Sequence, residues 1–201
     1  VDTEYSLLDG ACKIKKMLPR LKEMGQDAVA MTDHGNMYAT IYFYKYCKAA
    51  GIKPIIGCEV YTSQRTRFDK VSRELDGEIG HLVLLCKDNV GYKNLIKIVS
   101  FSNTEGFYYK PRVDMDLLRE NSEGLIALSG CLAGEVLRFL LQNDYDAARK
   151  TALWYREVFG EGNYFLEIQN HGLDDQLRIN PELIRLSREL NTSAWLYTYH
   201  T

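Results

Sequence analysis

The sequence lacks the marks of several protein classes. Its five cysteines (12, 47, 58, 86 and 131) are odd in number and form no Cys-x-x-Cys pair. A disulfide scaffold or a structural zinc knuckle is therefore not expected, and a reducing cytoplasm is. No apolar run approaches the ~18 residues of a membrane span, and the opening residues do not read as a secretory leader. Positive charge is not in excess either: 25 Lys and Arg stand against 27 Asp and Glu. No global field advertises nucleic acid, so any such contact has to be local. Low-complexity linkers and internal repeats are also missing. What remains is 201 residues, 46% hydrophobic and 26% charged, which suits one soluble domain of generous size.

Strand-like and helix-like segments alternate along the chain. Residues 11–24 read as an amphipathic helix closed by Gly25, 28–32 as a short buried strand, and 37–50 as a helix ended by Gly51. Strands are expected at 53–61, 81–86, 124–130, 163–169 and 193–199. Between them, helices are expected at 91–103, 113–122, 132–142, 144–159 and 181–190, with 62–80 as a loop or hairpin. That alternation predicts a parallel α/β fold, either a barrel or a doubly wound sheet.

In such folds reactive groups sit just beyond the carboxyl ends of the strands. Asp33 and His34 follow the first strand, Glu59 comes late in the second, and Cys131 follows IALSG. His81 opens its strand, which is the wrong end unless 53–61 and 81–86 pair antiparallel; it then lies beside Glu59. Asp2 and Asp9 flank the opening segment VDTEYSLLDG. Imidazole, carboxylate and thiol gathered on one rim are a divalent-metal ligand set. Each residue also has a plainer reading. Asp33 can cap a helix, Cys131 can be a small core residue, His81 a satisfied imidazole, and His171 a turn residue. Glu59 resists this, because an unpaired carboxylate inside an apolar strand is costly.

Several stretches together carry a family resemblance: TEYSLLDGA, TDHGNM, AGIKPIIGCEVY, HLVLL with GYKNL, EGFYYKPRVD, EGLIALSGCLAGEV and FLEIQNHGL. The chain resembles the polymerase and histidinol phosphatase (PHP) domain from residue 1 to about residue 190. It is most similar to the version at the amino terminus of bacterial DNA polymerase III alpha subunits. The resemblance implies one domain over 1–201, a piece of a longer polymerase chain, natural or edited. It also implies a distorted (β/α)7 barrel of the TIM-like kind, with up to three divalent ions, zinc or manganese, at the strand ends. Matched motif by motif, the implied ligands are Asp9, His34, Glu59, His81 and Cys131, with Asp33 bracing His34. The implied catalytic group is Asp33, His34 and Glu59.

The ends depart from the family pattern. A His-x-His-Thr pattern precedes Glu-Tyr-Ser-Leu in the family; here the first histidine is absent and Asp2 takes the second place. The family closes this region with Ala-Thr-Asn-Asp-x-His, whereas this chain has AWLYTYHT. Without a gap, Tyr199 and Thr201 stand in the acid and imidazole positions. With one residue deleted, His200 takes the place of the acid. In that register Asp2 and His200 are complementary exchanges facing one ion, and both join the expected ligand set.

The family's substrates are phosphoesters, namely histidinol phosphate in stand-alone enzymes and DNA 3′ ends in the polymerase version. Many polymerase versions have lost ligands and serve as structural supports. The expectations are therefore a metal-dependent phosphoesterase of the 3′–5′ exonuclease type, a non-catalytic module with a degenerate metal site, or a free-standing phosphatase. Expected partners are a DNA 3′ end and the rest of the polymerase, whose own polymerising centre is expected outside these residues; no membrane is expected. Lys110 and Arg112 are the expected phosphate contacts, with Arg65 and Arg67 as further basic groups. For each basic pair a solvated loop is the plainer reading.

Overall fold

A computed structural model describes residues 1–7 and 9–197. Helix α1 (Ile14–Glu23) buries Ile14, Leu18 and Leu21, which recur at helical spacing, and Gly25 at φ 70° ends it. Strand β1 (Ala28–Met31) follows, then helix α2 (Thr40–Ala49), closed by Gly51 at φ 68°. Together α1, β1 and α2 enclose a small core that includes Val29, Met31, Phe43 and Cys47.

Strand β2 (Lys53–Ser63) runs two residues past its expected end, and the polar stretch after it holds a single turn, α3 (Arg73–Asp76). Strand β3 (Ile79–Cys86) returns antiparallel to β2, with Tyr61 opposite His81 and Glu59 opposite Val83. Helix α4 (Asn89–Thr104) starts on Asp88, which accepts from the Gly91 amide. A two-residue strand, β4 (Arg112–Val113), pairs with the end of β2 and precedes α5 (Met115–Glu120), whose cap is Asp114. Strand β5 (Leu125–Leu128), helices α6 (Glu135–Leu141) and α7 (Tyr145–Phe159), strand β6 (Tyr164–Gln169), helix α8 (Asp174–Glu189) and strand β7 (Ala194–Tyr197) complete the order. The helix expected at 181–190 begins seven residues earlier. Asp174 and Asp175 occupy its first turn, where their charge suits the helix amino terminus, and Pro181 lies inside it.

The strands form one sheet in the order β1-β2-β3-β5-β6-β7, with β4 off this path. Only β3 runs against its neighbours, pairing antiparallel with β2 and β5. Alternate strand residues divide the two faces. Cys58, Val60, Leu82, Leu84, Ala127 and Leu166 pack under the helices in the main core. Ala30, Ile55, Val83, Leu85, Leu128 and Phe165 instead line a cleft of about 850 Å³. The molecule is a single α/β domain whose sheet curls around that cleft. The expected closed (β/α)7 barrel is reduced to this coarser statement, because β1 and β7 share no ladder among the described residues. On the open side of β1, the Val1 carbonyl accepts from the Thr32 amide at 3.0 Å. Among the described residues no helix is long and apolar enough to cross a membrane.

Candidate metal centre

The stretch TDHG leaves β1 and continues beside β2. His34 forms a parallel bridge with Glu59, the Glu59 amide donates to the Asp33 carbonyl at 3.1 Å, and the Gly35 amide donates to the Glu59 carbonyl at 2.8 Å. This places the two side chains together over the cleft. Gly35 has φ 64°, and a Cβ there would lie 2.8 Å from Pro111 and 3.0 Å from the Tyr61 ring. Only glycine suits that backbone.

Asp33 is expected both to brace His34 and to join the catalytic group. It is fully buried, and its carboxylate accepts from the Thr3 amide (2.6 Å), the Thr3 hydroxyl (2.8 Å) and the Ser6 hydroxyl (2.9 Å). The Ser6 hydroxyl in turn accepts from the His34 amide at 3.1 Å. Asp33 therefore ties the segment carrying Asp2 and Asp9 to the end of β1. It steadies the His34 backbone through Ser6, and its oxygens are committed away from the cleft.

Glu59 is the hub. Its Oε1 lies 2.8 Å from His34 Nδ1 and 3.0 Å from His81 Nδ1. The antiparallel register of β2 and β3 makes Glu59 and His81 diagonal neighbours on one face. The loop after β5 then brings Cys131 Sγ within 3.6 Å of His81 Nδ1. That approach depends on Gly130 at φ 77°, where a Cβ would stand 2.9 Å from the His81 carbonyl. One ligand atom each from Glu59, His81 and Cys131 lies within 4.8 Å of the others. On the far side of His34, Nε2 lies 2.7 Å from Asp9 Oδ2 and 3.9 Å from Asp2 Oδ2. Asp2, Asp9, His34, Glu59, His81 and Cys131 all line the one cleft. His200 lies outside the described residues, so the Asp2–His200 pairing has no geometry to report.

Charge in the cluster is strongly coupled. Contact with Glu59 pushes the His34 imidazole up to about 9 against the pull of burial. Burial disfavours charge on His81, yet Cys131 and Glu59 together push it up to about 10. Burial alone would raise Glu59, but the two imidazoles outweigh it and hold the carboxyl down at about 2. The residues fit a divalent cation. His34 Nδ1 and Glu59 Oε1 are buried and close, but neither makes an aligned hydrogen bond. Close approach without alignment is the disposition of two ligands of one ion, each directing its lone pair at the ion. Carboxylate, imidazole and thiol together favour zinc or a similar borderline ion over magnesium.

The basic groups divide. Arg112 departs from the expectation: it is fully buried, and its guanidinium donates to the carbonyls of Gly106, Asp76, Arg67 and Asp69 and not toward solvent, where a phosphate would come. Arg65 pairs with Asp76, and Arg67 with Glu105 and Asp114. Lys110 remains exposed, its Nζ 5.2 Å from the Tyr61 ring centroid, and the Tyr61 ring meets His81 edge-on. His171 lies on the rim, where its amide donates to Gln176. One cleft residue escaped the sequence reading. Glu167 on β6 is buried, its Oε1 accepts from Gln169 Nε2 at 2.7 Å, and its Oε2 makes no hydrogen bond among the described residues. Burial pushes this carboxyl upward. An acid inside the apolar run FLEIQ was the available signal, the same one that marked Glu59.

Comparison with known proteins adds to this geometry. A family model described as the PHP domain matches residues 1–171. The chain is 46% identical over 190 residues to the DNA polymerase III subunit alpha of Treponema pallidum, covering 94% of this chain and 16% of that protein. It is 52% identical over 196 residues to the Deinococcus radiodurans subunit, covering 94% and 14%. The chain thus spans about one sixth of the curated relatives it matches. Among solved structures, one described as a "putative metal-dependent phosphoesterase" from Bifidobacterium adolescentis aligns with a TM-score of 0.56 at 10% identity, covering 94% of this chain and 82% of the other. That likeness concerns the fold.

Proposed function

Because the chain belongs to the PHP domain family, we propose that it is a divalent-metal phosphoesterase domain working within a replicative DNA polymerase. The observation that carries this reading is Glu59 Oε1 set between two imidazoles, with a cysteine thiol completing the group. Glu59, His81 and Cys131 would hold the tightest ion, zinc or manganese, with His34 Nδ1 beside Glu59 facing the same ion, and Asp9 and Asp2 would draw a weaker one on the far side of His34. Such an ion supplies a Lewis acid and a water acidified toward neutral pH for attack on phosphorus. The chain's own groups do the rest. Glu59 keeps two imidazole nitrogens facing the cleft, and Asp9 fixes the His34 ring from its far side, 2.7 Å from Nε2. Lys110 offers an exposed cation for a phosphate oxygen, and the apolar cleft wall excludes bulk water. The substrate is a DNA 3′ end, presented by the rest of the polymerase in the cytoplasm. Residues 1–201 form the PHP domain, with a distorted (β/α)7 barrel as its finer description; His200 lies outside the described residues.

A second reading, a non-catalytic support with a partial site, draws on a specific observation. The Asp9 side chain is 71% exposed, and Asp2 stands 3.9 Å from His34, so the additional ligands are loosely drawn in. One experiment separates the two. Metal content is measured on the purified protein, and hydrolysis of a generic phosphodiester is followed with added manganese or zinc. Bound metal with turnover that Glu59→Gln abolishes supports the enzyme. Bound metal without turnover supports the structural module, and no bound metal overturns both.

A further inference from the structure

The segment before α1 has two sides. It lines the metal cleft through Asp2 and Asp9, and through Tyr5 it lines a separate groove of about 520 Å³ between α1 and α2. Lys13, Lys15 and Lys16 form one wall of that groove, and Tyr42 and Tyr46 the other. None of the three lysines enters an ion pair among the described residues. The acid nearby, Glu4, is engaged in accepting from the Ile14 amide at 2.9 Å at the start of α1. Lys15 Nζ stands 5.2 Å from the Tyr46 ring centroid. Tyr38, in the turn before α2, and Tyr42, on the helix, are 75% and 57% exposed.

The charge is segregated as well. Residues 13–53 hold eight Lys and Arg against three Asp and Glu, in a chain whose net charge is −2. One of the three acids, Asp33, is buried and spent on Thr3 and Ser6. A local excess of this size, with Lys13, Lys15 and Lys16 at the groove, favours a polyanion there. The rings narrow the choice. Phenol faces beside unpaired ammonium groups offer stacking to bases and charge to phosphates, as single-strand sites do. A duplex keeps its bases stacked inside and would leave the rings idle.

We propose that the α1–α2 groove binds single-stranded nucleic acid, with Lys13, Lys15 and Lys16 on the phosphates and Tyr42 and Tyr46 under the bases. This goes beyond the metal reading and does not require it.

The test is fluorescence anisotropy of a labelled oligothymidylate of about 12 nucleotides against the 201-residue chain, in excess chelator and at low salt. Binding is expected to weaken steeply with salt. Lys15→Glu with Lys16→Glu should reduce affinity at least ~10-fold. Tyr42→Ala should reduce it several-fold with an unchanged salt slope, since a base contact releases no counterion. The matching duplex should bind at least ~10-fold more weakly than the single strand. Circular dichroism checks each variant's fold, and Lys15→Gln with Lys16→Gln replaces the charge reversal should that variant unfold. The absence of oligothymidylate binding overturns the proposal. So does affinity unmoved by the lysine substitutions, and so does equal affinity for duplex or heparin, which would mark an unselective cation patch. Because the chelator removes any ion, failure of the metal reading leaves this result intact.

Discussion

At the scale of single residues, Glu59 sets the electrostatics of the cleft. It anchors two imidazoles whose folded values, about 9 and 10, lie above the ~6.5 of a free imidazole. Groups raised in this way stabilise the fold fully below ~6.5, and that contribution is lost as pH rises through their folded values. Metal-free protein should therefore show a falling melting temperature between about pH 7 and pH 10, read by thermal unfolding in chelator. A flat profile would contradict the charged-imidazole arrangement. Cation binding must displace those protons, so affinity should rise over the same range. Glu59→Gln removes the anion from between the rings, and metal affinity should drop by ~10–100-fold or more, measured by chelator competition. Much of this was legible in the sequence, because an acid in an apolar strand and an imidazole after one are conspicuous. Arg112 was not. Nothing in YYKPRVD distinguishes a phosphate-binding arginine from one satisfied by carbonyls up to 45 residues away.

The elements explain why the cluster forms at all. β3 runs against its neighbours, so His81, near its start, arrives where the parallel strands end. Alternation of hydrophobic and polar residues located nearly every strand and helix. It missed β4, which has two residues and exists through its pairing with β2, and it placed the start of α8 at Pro181. The pattern cannot see a helix whose first turns are polar and held by tertiary contacts. Two substitutions probe this level. Gly35→Ala forces a side chain into a left-handed backbone against Pro111 and Tyr61, and should cost about 1–3 kcal/mol, read by denaturant unfolding. Arg112→Met removes the side-chain donor from four buried or part-buried carbonyls and should cost at least about 3 kcal/mol. Lys110→Ala, on the surface, should stay within about 0.5 kcal/mol of the parent. Equal stability of the Arg112 and Lys110 variants would contradict the structural role given to Arg112.

For the molecule as a whole, the sheet curls so that one face packs under the helices and the other lines a single cleft holding the expected ligands from Asp2 to Cys131. Motif resemblance reached the family and the cleft. Periodicity reached the α/β class and left barrel closure open, because closure depends on how the first and last strands meet, and neither alternation nor spacing encodes that. The central claim is that Glu59, His81 and Cys131 share one divalent ion. X-ray absorption at the zinc edge of the reconstituted protein tests it most directly. The account predicts one sulfur ligand at ~2.3 Å together with nitrogen and oxygen at ~2.0–2.2 Å, with the sulfur shell lost in Cys131→Ser. A spectrum without sulfur, or one unchanged by that substitution, would contradict it.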